Sequence, residues 1–261
     1  MLNANALIGA HDVLFVTLDT LRFDVADEEL RAGRTPHLAA RIGEWEKRHT
    51  PGSFTYAAHH AFFAGFLPTP CSPGPHPRLF ATAFPGSETT DARTAVFDAP
   101  NIVEGFAAAG YHTLCIGGVG FFNLRTPLGR VLPGMFRERH WREDLGVTDP
   151  ASTEHQVALA LERVFLVLNV AALHQPNCSY LNAEQDTRAS HAAALRYVDG
   201  ALDPLFERFE RRGPTLCLVM SDHGTLYGED GHVGHRCAHP VVWEVPYAEF
   251  LIGVDRRRAI V

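Results

Sequence analysis

Several short runs in this chain are apolar at nearly every position rather than at every second one, and each stops at a cluster of polar side chains. Leu216-Cys217-Leu218-Val219-Met220 ends at Ser221-Asp222-His223, and Val13-Leu14-Phe15-Val16-Thr17-Leu18 ends at Asp19-Thr20. Runs of this length describe strands buried on both faces, the situation of a parallel sheet covered by helices. Residues 111–116, 164–168 and 248–254 read as further strands. Between them lie helical patterns at 35–42, 58–62, 101–110, 153–162 and 190–212. The first has Thr35 at the N-cap and Pro36 in the first turn, the second closes on Gly65, and the last is expected to kink or divide at Pro204. Strand and helix alternate without an internal repeat, so the expected fold class is α/β, a mostly parallel β-sheet sandwiched by helices in one compact domain, 1–261. Residues 68–93, rich in Pro, Gly, Ser and Thr, read as a surface loop or lid.

The 261 residues, 46% of them hydrophobic, suffice for a packed core. A formal charge of -7 argues against a binder that tracks nucleic-acid phosphates, since that mode needs a surplus of Lys and Arg. The N-terminal residues lack the basic n-region of a signal peptide, and the apolar run at 164–168 is interrupted by Asn169 before it could span a bilayer. The expectation is a cytoplasmic protein with no membrane and no nucleic-acid partner. Five scattered cysteines do not suggest a disulfide framework.

In an α/β sheet, ligands bind where parallel strands end. That edge collects Asp19, Asp222 and His223, while His174 and His235 lie in loops and Thr55 at or just before the start of a helix. Thr55 reads either as an N-cap or as a group facing an anion held by the helix N-terminus. Carboxylate and imidazole ligands together suit zinc or manganese, and a threonine oxygen beside the ion becomes nucleophilic. Asp24 reads equally as a helix cap or a metal contact. Tyr227, Arg236 and Asn177 are candidates for shaping substrate binding. Histidines such as His191, without strand-end context, are expected on the surface or on helix faces.

The segments Phe15-Val16-Thr17-Leu18-Asp19-Thr20-Leu21-Arg22-Phe23-Asp24, 55–65, Leu173-His174-Gln175-Pro176, Tyr197-Val198-Asp199, Ser221-Asp222-His223-Gly224 and Gly234-His235 resemble, in order, the successive motifs of the alkaline phosphatase and sulfatase superfamily. More narrowly, Tyr227-Gly228-Glu229-Asp230-Gly231 with Gly234-His235-Arg236 and His239-Pro240 resembles a small sulfatase-like group of bacterial metalloenzymes. The resemblance implies that Asp19, Asp222 and His223 bind a divalent metal and that Thr55 is both nucleophile and metal contact. It places His59 where many members have a substrate-contacting His or Arg. It also implies that His174 and His235 either hold a second ion or touch the phosphoryl oxygens. The chain departs from the formylglycine sulfatases, which carry C-x-P-x-R where this sequence has Thr55-Tyr56-Ala57-Ala58-His59. Cys71-Ser72-Pro73-Gly74-Pro75 starts like that motif but lacks its Arg. Gly117 stands where many sulfatases have Lys, and Thr20 where they have a second Asp. The sequence lacks the long C-terminal extension common in the superfamily, which leaves the cleft open or covered by another subunit of a homo-oligomer.

The expected activity is therefore metal-dependent hydrolysis of a small phosphate ester through a phosphothreonine intermediate. Sulfate ester hydrolysis and phosphotransfer on the same site are the nearest alternatives. A non-catalytic metal-binding protein is the alternative of another class.

Overall fold

The computed structural model describes residues 2–65, 78–80, 94–96, 100–141 and 163–254. Seven strands form the main sheet: β1 (Asp12–Leu18), β2 (Glu46–His49), β3 (His112–Gly117), β4 (Glu138–Trp141), β5 (Val164–Val170), β6 (Thr215–Met220) and β7 (Glu244–Ile252). Their order is β2-β7-β6-β1-β5-β3-β4. β6, β1, β5, β3 and β4 are parallel neighbours, whereas β7 runs antiparallel to both β6 and β2. The α/β, mostly parallel architecture is as the alternation of elements implies. The strands read from apolar runs are β1, β3, β5, β6 and β7. β2 and β4 are additions, and their composition explains why they escape a hydrophobic reading: Glu46-Lys47-Arg48-His49 and Glu138-Arg139-His140-Trp141 sit at the two sheet edges, where exposed polar side chains are tolerated.

The four main helices are α1 (Phe23–Arg31), α2 (Thr55–Ala64), α3 (Ile102–Ala108) and α4 (Arg188–Arg212). The strand period of two sends alternate residues to opposite faces. Leu14, Val16 and Leu18 of β1 join a core with Leu195, Val198, Leu202 and Phe206 of α4, while Val13 and Phe15 join a second core with Phe63 and Val103. The same alternation points Thr17 and Asn169 toward the α2 face, at the strand ends.

Local chemistry fixes the helix ends. Asn101 caps α3 by accepting from the Glu104 N–H, and Thr187 and Ser190 form a reciprocal capping box on α4. Thr35 does not cap the following turn, Pro36–Ala39. That role falls to Asp199 of α4, whose carboxylate accepts from the backbone N–H of His37 (3.1 Å) and Leu38 (2.7 Å). Pro204 does not divide α4, which runs as a single 25-residue helix. Pro204 and Gly200 are exposed, so the missing hydrogen bond is on the water side while Leu202, Leu205 and Phe206 hold the buried side. The expected helix at 153–162 lies outside the described residues, as does most of 68–93, of which 78–80 pairs in parallel with 94–96. Among the described residues no helix is long and apolar enough to cross a membrane.

Candidate metal centre and nucleophile

β1 and β6 are adjacent and parallel, so Asp19 and Asp222, each just past its strand's C-terminal end, arrive side by side. Candidate ligand atoms of Asp19, Asp222 and His223 lie within 4.8 Å of one another, and all three residues are fully buried. Asp222 Oδ1 accepts from the backbone N–H of His223 (3.0 Å) and of Thr20 (3.2 Å), while its Oδ2 has no hydrogen-bond partner. Asp19 Oδ2 accepts from Asn169 Nδ2 (2.9 Å), and its Oδ1 is likewise without a partner. The His223 Nδ1–H donates to the Gly224 carbonyl (2.9 Å), which leaves Nε2 facing the acids at 3.6 Å from Asp222 Oδ2 and 3.9 Å from Asp19 Oδ1. Two orphaned buried carboxylate oxygens and an imidazole lone pair directed at them are a donor set that fits a divalent cation. Without one, burial and the neighbouring Asp222 raise Asp19 to about 6, and burial raises Asp222 to about 7. Burial also pushes the His223 imidazole below its ordinary range.

The backbone that delivers these groups is constrained. Thr20 is in the left-handed region (φ 66°), an uncommon conformation for a β-branched residue, and its side chain is anchored by donating to the Leu173 carbonyl (3.2 Å). Gly224 is irreplaceable in a different sense, since a Cβ there would lie 1.9 Å from the Val241 carbonyl oxygen.

Thr55 is the first residue of α2, not its cap: Phe54 occupies the N-cap position, and no side chain caps the helix. The Thr55 hydroxyl turns instead into the acid cluster, 3.3 Å from Asp19 Oδ2 and 3.3 Å from His223 Nε2. Gly65 ends α2 in the left-handed conformation (φ 68°).

Thr55, His174, His235 and Arg236 line a cleft of about 700 Å³ together with Gly118, Phe121, Arg125 and Trp141. The His235 ring is 4.5 Å from that of His223 and 5.5 Å from that of His174, so the three imidazoles form a row leading out of the acid cluster. His174 donates Nδ1–H to the Gln175 carbonyl (2.6 Å). Burial and the neighbouring His223 lower His235 to about 3, leaving it neutral. Neither His174 nor His235 is part of the three-residue ligand cluster.

Three residues expected to touch substrate do not reach the cleft. His59 is 0% exposed: four residues after Thr55, it lies on the helix face turned to the sheet, ringed by Phe62, Phe63 and Phe122. Its Nδ1–H donates to the Thr55 carbonyl (2.9 Å) and its Nε2 accepts from the Thr17 hydroxyl (2.9 Å), so it fixes the first turn of α2 from behind. Burial lowers it to about 4, which keeps it in that neutral tautomer. Asn177, also fully buried, donates to the Leu173 carbonyl and the Tyr227 hydroxyl. Tyr227 in turn meets His191 Nδ1 at 3.0 Å. His191 lies on α4 as expected, but it is buried rather than on the surface, because its helix face packs beneath the loops that carry His174 and Tyr227. Asp24 neither caps a helix nor approaches the acid cluster; it pairs with Arg22 and Arg188.

Sequence reading also missed the part Asn169 plays. Its Oδ1 accepts from the backbone N–H of Gly118 (3.3 Å) and Val119 (3.2 Å), so one amide ties the cleft wall to Asp19. The lysine that many sulfatases carry at the position of Gly117 has no room here, since a Cβ would lie 2.0 Å from that of Phe122.

No protein-family model and no curated protein sequence matches the chain. Solved structures do. The lipooligosaccharide phosphoethanolamine transferase A (EptA) of Neisseria meningitidis, an integral membrane protein, superposes with a TM-score of 0.65 at 18% identity, over 95% of this chain and 49% of that one. A protein in the alkaline phosphatase superfamily from Vibrio parahaemolyticus gives 0.59 at 15% identity, over 94% and 60%. The C-terminal periplasmic domain of EcEptC from Escherichia coli, in complex with Zn, gives 0.61 at 12% identity, over 93% and 74%. This chain thus spans about half the length of the first and under two thirds of the second. It has the fold of the alkaline phosphatase and sulfatase-like superfamily.

Proposed function

We propose that this protein is a metal-dependent enzyme that takes the phosphoryl group of a phosphate ester onto Thr55. The observation that carries the reading is the position of the Thr55 hydroxyl, 3.3 Å from both Asp19 Oδ2 and His223 Nε2, in the wall of a cleft and beside two buried carboxylate oxygens without partners.

Asp19, Asp222 and His223 would hold the ion, zinc or manganese by the chemistry of the donors. When bound, it supplies Lewis acidity toward the Thr55 hydroxyl and the phosphoryl oxygens. The residues of the chain do the rest. Asp19 Oδ2 accepts from the Thr55 hydroxyl and orients its proton, while the partnerless Oδ1 would be available to the ion. The first turn of α2, fixed by His59, directs Oγ1 at the phosphorus and brings the positive end of the helix dipole to the incoming anion. As the Thr55 O–P bond forms and the ester P–O bond breaks, the hydroxyl proton passes to Asp19 Oδ2, and the leaving oxygen departs into the cleft and takes its proton from solvent. His174, with Nδ1–H committed to Gln175, keeps Nε2 free to accept a proton from the water or alcohol that releases the phosphothreonine. Neutral His235 stands between His174 and His223 and contacts the phosphoryl oxygens.

Water as the final acceptor makes the enzyme a phosphoric ester hydrolase. An alcohol acceptor is the second reading, favoured by the likeness in fold to the phosphoethanolamine transferase EptA, and the first half-reaction is the same. The test is turnover of para-nitrophenyl phosphate, bis(para-nitrophenyl) phosphate and para-nitrophenyl sulfate by zinc- or manganese-loaded protein, with and without glycerol as acceptor. The phosphate esters should be turned over, and Thr55→Ala should reduce the rate about 10³-fold or more while circular dichroism is unchanged. Undiminished turnover by the variant would remove Thr55 from the chemistry, and preference for the sulfate would reassign the transferred group.

A further inference from the structure

The acid-rich composition of the chain makes the outer cleft unusual. With 30 acidic and 23 basic residues, most guanidinium groups have carboxylates to pair with, and Arg22, Arg34, Arg41, Arg48, Arg188 and Arg196 do so. Arg125 and Arg236, both lining the cleft, form no ion pair among the described residues, and no Asp or Glu is among the described residues lining it.

Both guanidinium groups are held against aromatic rings instead. Arg125 Cζ lies 4.6 Å from the Trp141 ring centre and Arg236 Cζ lies 5.1 Å from that of Phe54. A guanidinium seated over a ring is restrained while its N–H edge stays available to a planar anion. Arg236 is also tied to the nucleophile's own loop, because its backbone N–H donates to the Ser53 carbonyl (3.0 Å) with φ at 71°. Binding of a cationic headgroup is opposed twice over. The cleft offers it no carboxylate among the described lining residues, and the Trp141 face that would receive an ammonium already carries Arg125.

We propose that Arg125 and Arg236 form an anion subsite in this cleft, so that the ester processed at Thr55 carries a second negative charge, a carboxylate or another phosphate, on its leaving group. The assignment of a substrate class rests on the phosphoryl-transfer reading above, whereas the binding subsite itself does not require turnover.

The two are separated by measuring binding and turnover independently. Calorimetry on zinc-loaded protein would compare phenylphosphonate with its meta-carboxy and meta-trimethylammonio derivatives, which share one non-hydrolysable phosphonate and differ in the sign of the distal charge. The carboxylate should bind about tenfold more tightly than the parent and the ammonium more weakly. Arg125→Ala and Arg236→Ala should each cut the carboxylate-to-ammonium affinity ratio about fivefold or more, a ratio insensitive to the fraction of folded protein. An ammonium that binds as well as the carboxylate, or a ratio untouched in both variants, overturns the subsite. Charge preference without turnover of any phosphate ester overturns the reaction and upholds the subsite. Turnover without charge preference does the reverse, and failure to bind any of the three phosphonates overturns both.

Discussion

The two carboxylate oxygens of Asp19 have different surroundings, Oδ2 hydrogen-bonded and Oδ1 without a partner, and Asn169 keeps them so. The Asn169 amide nitrogen donates to Asp19 Oδ2 at 2.9 Å and to the Thr17 hydroxyl at 3.4 Å, while its oxygen is held by the Gly118 and Val119 N–H groups. That carboxylate is thereby prevented from rotating, and a ligand with fixed orientation binds its ion more tightly than one free to turn. Asn169→Ala should therefore weaken metal affinity about 10- to 100-fold in a chelator-competition assay, with little change in secondary structure. Equal affinity in variant and wild type would show that Asp19 is oriented without Asn169. Asp19, Asp222 and His223 were legible from sequence because they stand where apolar runs end, and Thr55 because it stands at the start of a helical pattern that closes on Gly65. Asn169 was visible only as a polar strand end, since its partners depend on which face of β5 it occupies and on the neighbouring β3. His59, Asn177 and Tyr227 were misjudged for the converse reason: proximity in sequence to the site does not report which side of a helix or loop is buried.

Between elements, α1 and α4 are joined by a buried acid that no motif announces. Glu29 is 2% exposed and accepts from Arg34 (2.7 Å) and Arg196 (2.6 Å), two side chains that are themselves partly exposed. Burial alone would raise its carboxyl, but the two guanidinium partners outweigh it and bring it down from 4.5 to about 2. A depressed acid stabilises the fold above its unfolded value and loses that contribution as pH falls through the folded one. Glu29→Gln should lower stability by about 1–3 kcal/mol at pH 7, a range reduced from that of a fully buried pair because both arginines reach solvent. Urea midpoints of the two proteins should converge as pH drops from 4.5 toward about 2. A gap that persists at the low end would assign the loss to packing instead of charge. Sequence periodicity located α1's neighbours β1 and α4 but not this link, because an acid on an amphipathic helix ordinarily reads as a solvated face. The edge strands β2 and β4 and the cap supplied by Asp199 were hidden likewise, each depending on contacts remote in the chain.

For the whole molecule, the buried acid cluster of Asp19 and Asp222 is a source of instability that a bound divalent ion would remove. Two carboxylates enclosed at the end of the sheet are raised to about 6 and about 7, so their ionisation costs the metal-free chain stability. A raised acid has the opposite sign to Glu29: the metal-free fold is most stable below the unfolded carboxylate range and loses stability as pH rises from that range up to these values. Bound metal requires the charged forms, so its stabilising effect should grow over the same interval. Thermal unfolding of chelator-treated protein should then shift to lower temperature between pH 5 and pH 8, while the separation from zinc-loaded protein widens. Asp222→Asn separates this electrostatic cause from a general effect of pH. The amide oxygen preserves the acceptor for the Thr20 and His223 N–H groups but removes the charge. The metal-free variant should be more stable than metal-free wild type at pH 8, by on the order of 1–3 kcal/mol, and should gain little from zinc. A metal-free variant no more stable than metal-free wild type at pH 8 would mean that the buried acids are already compensated within the chain. The ion would then contribute to chemistry alone and not to holding the sheet edge together.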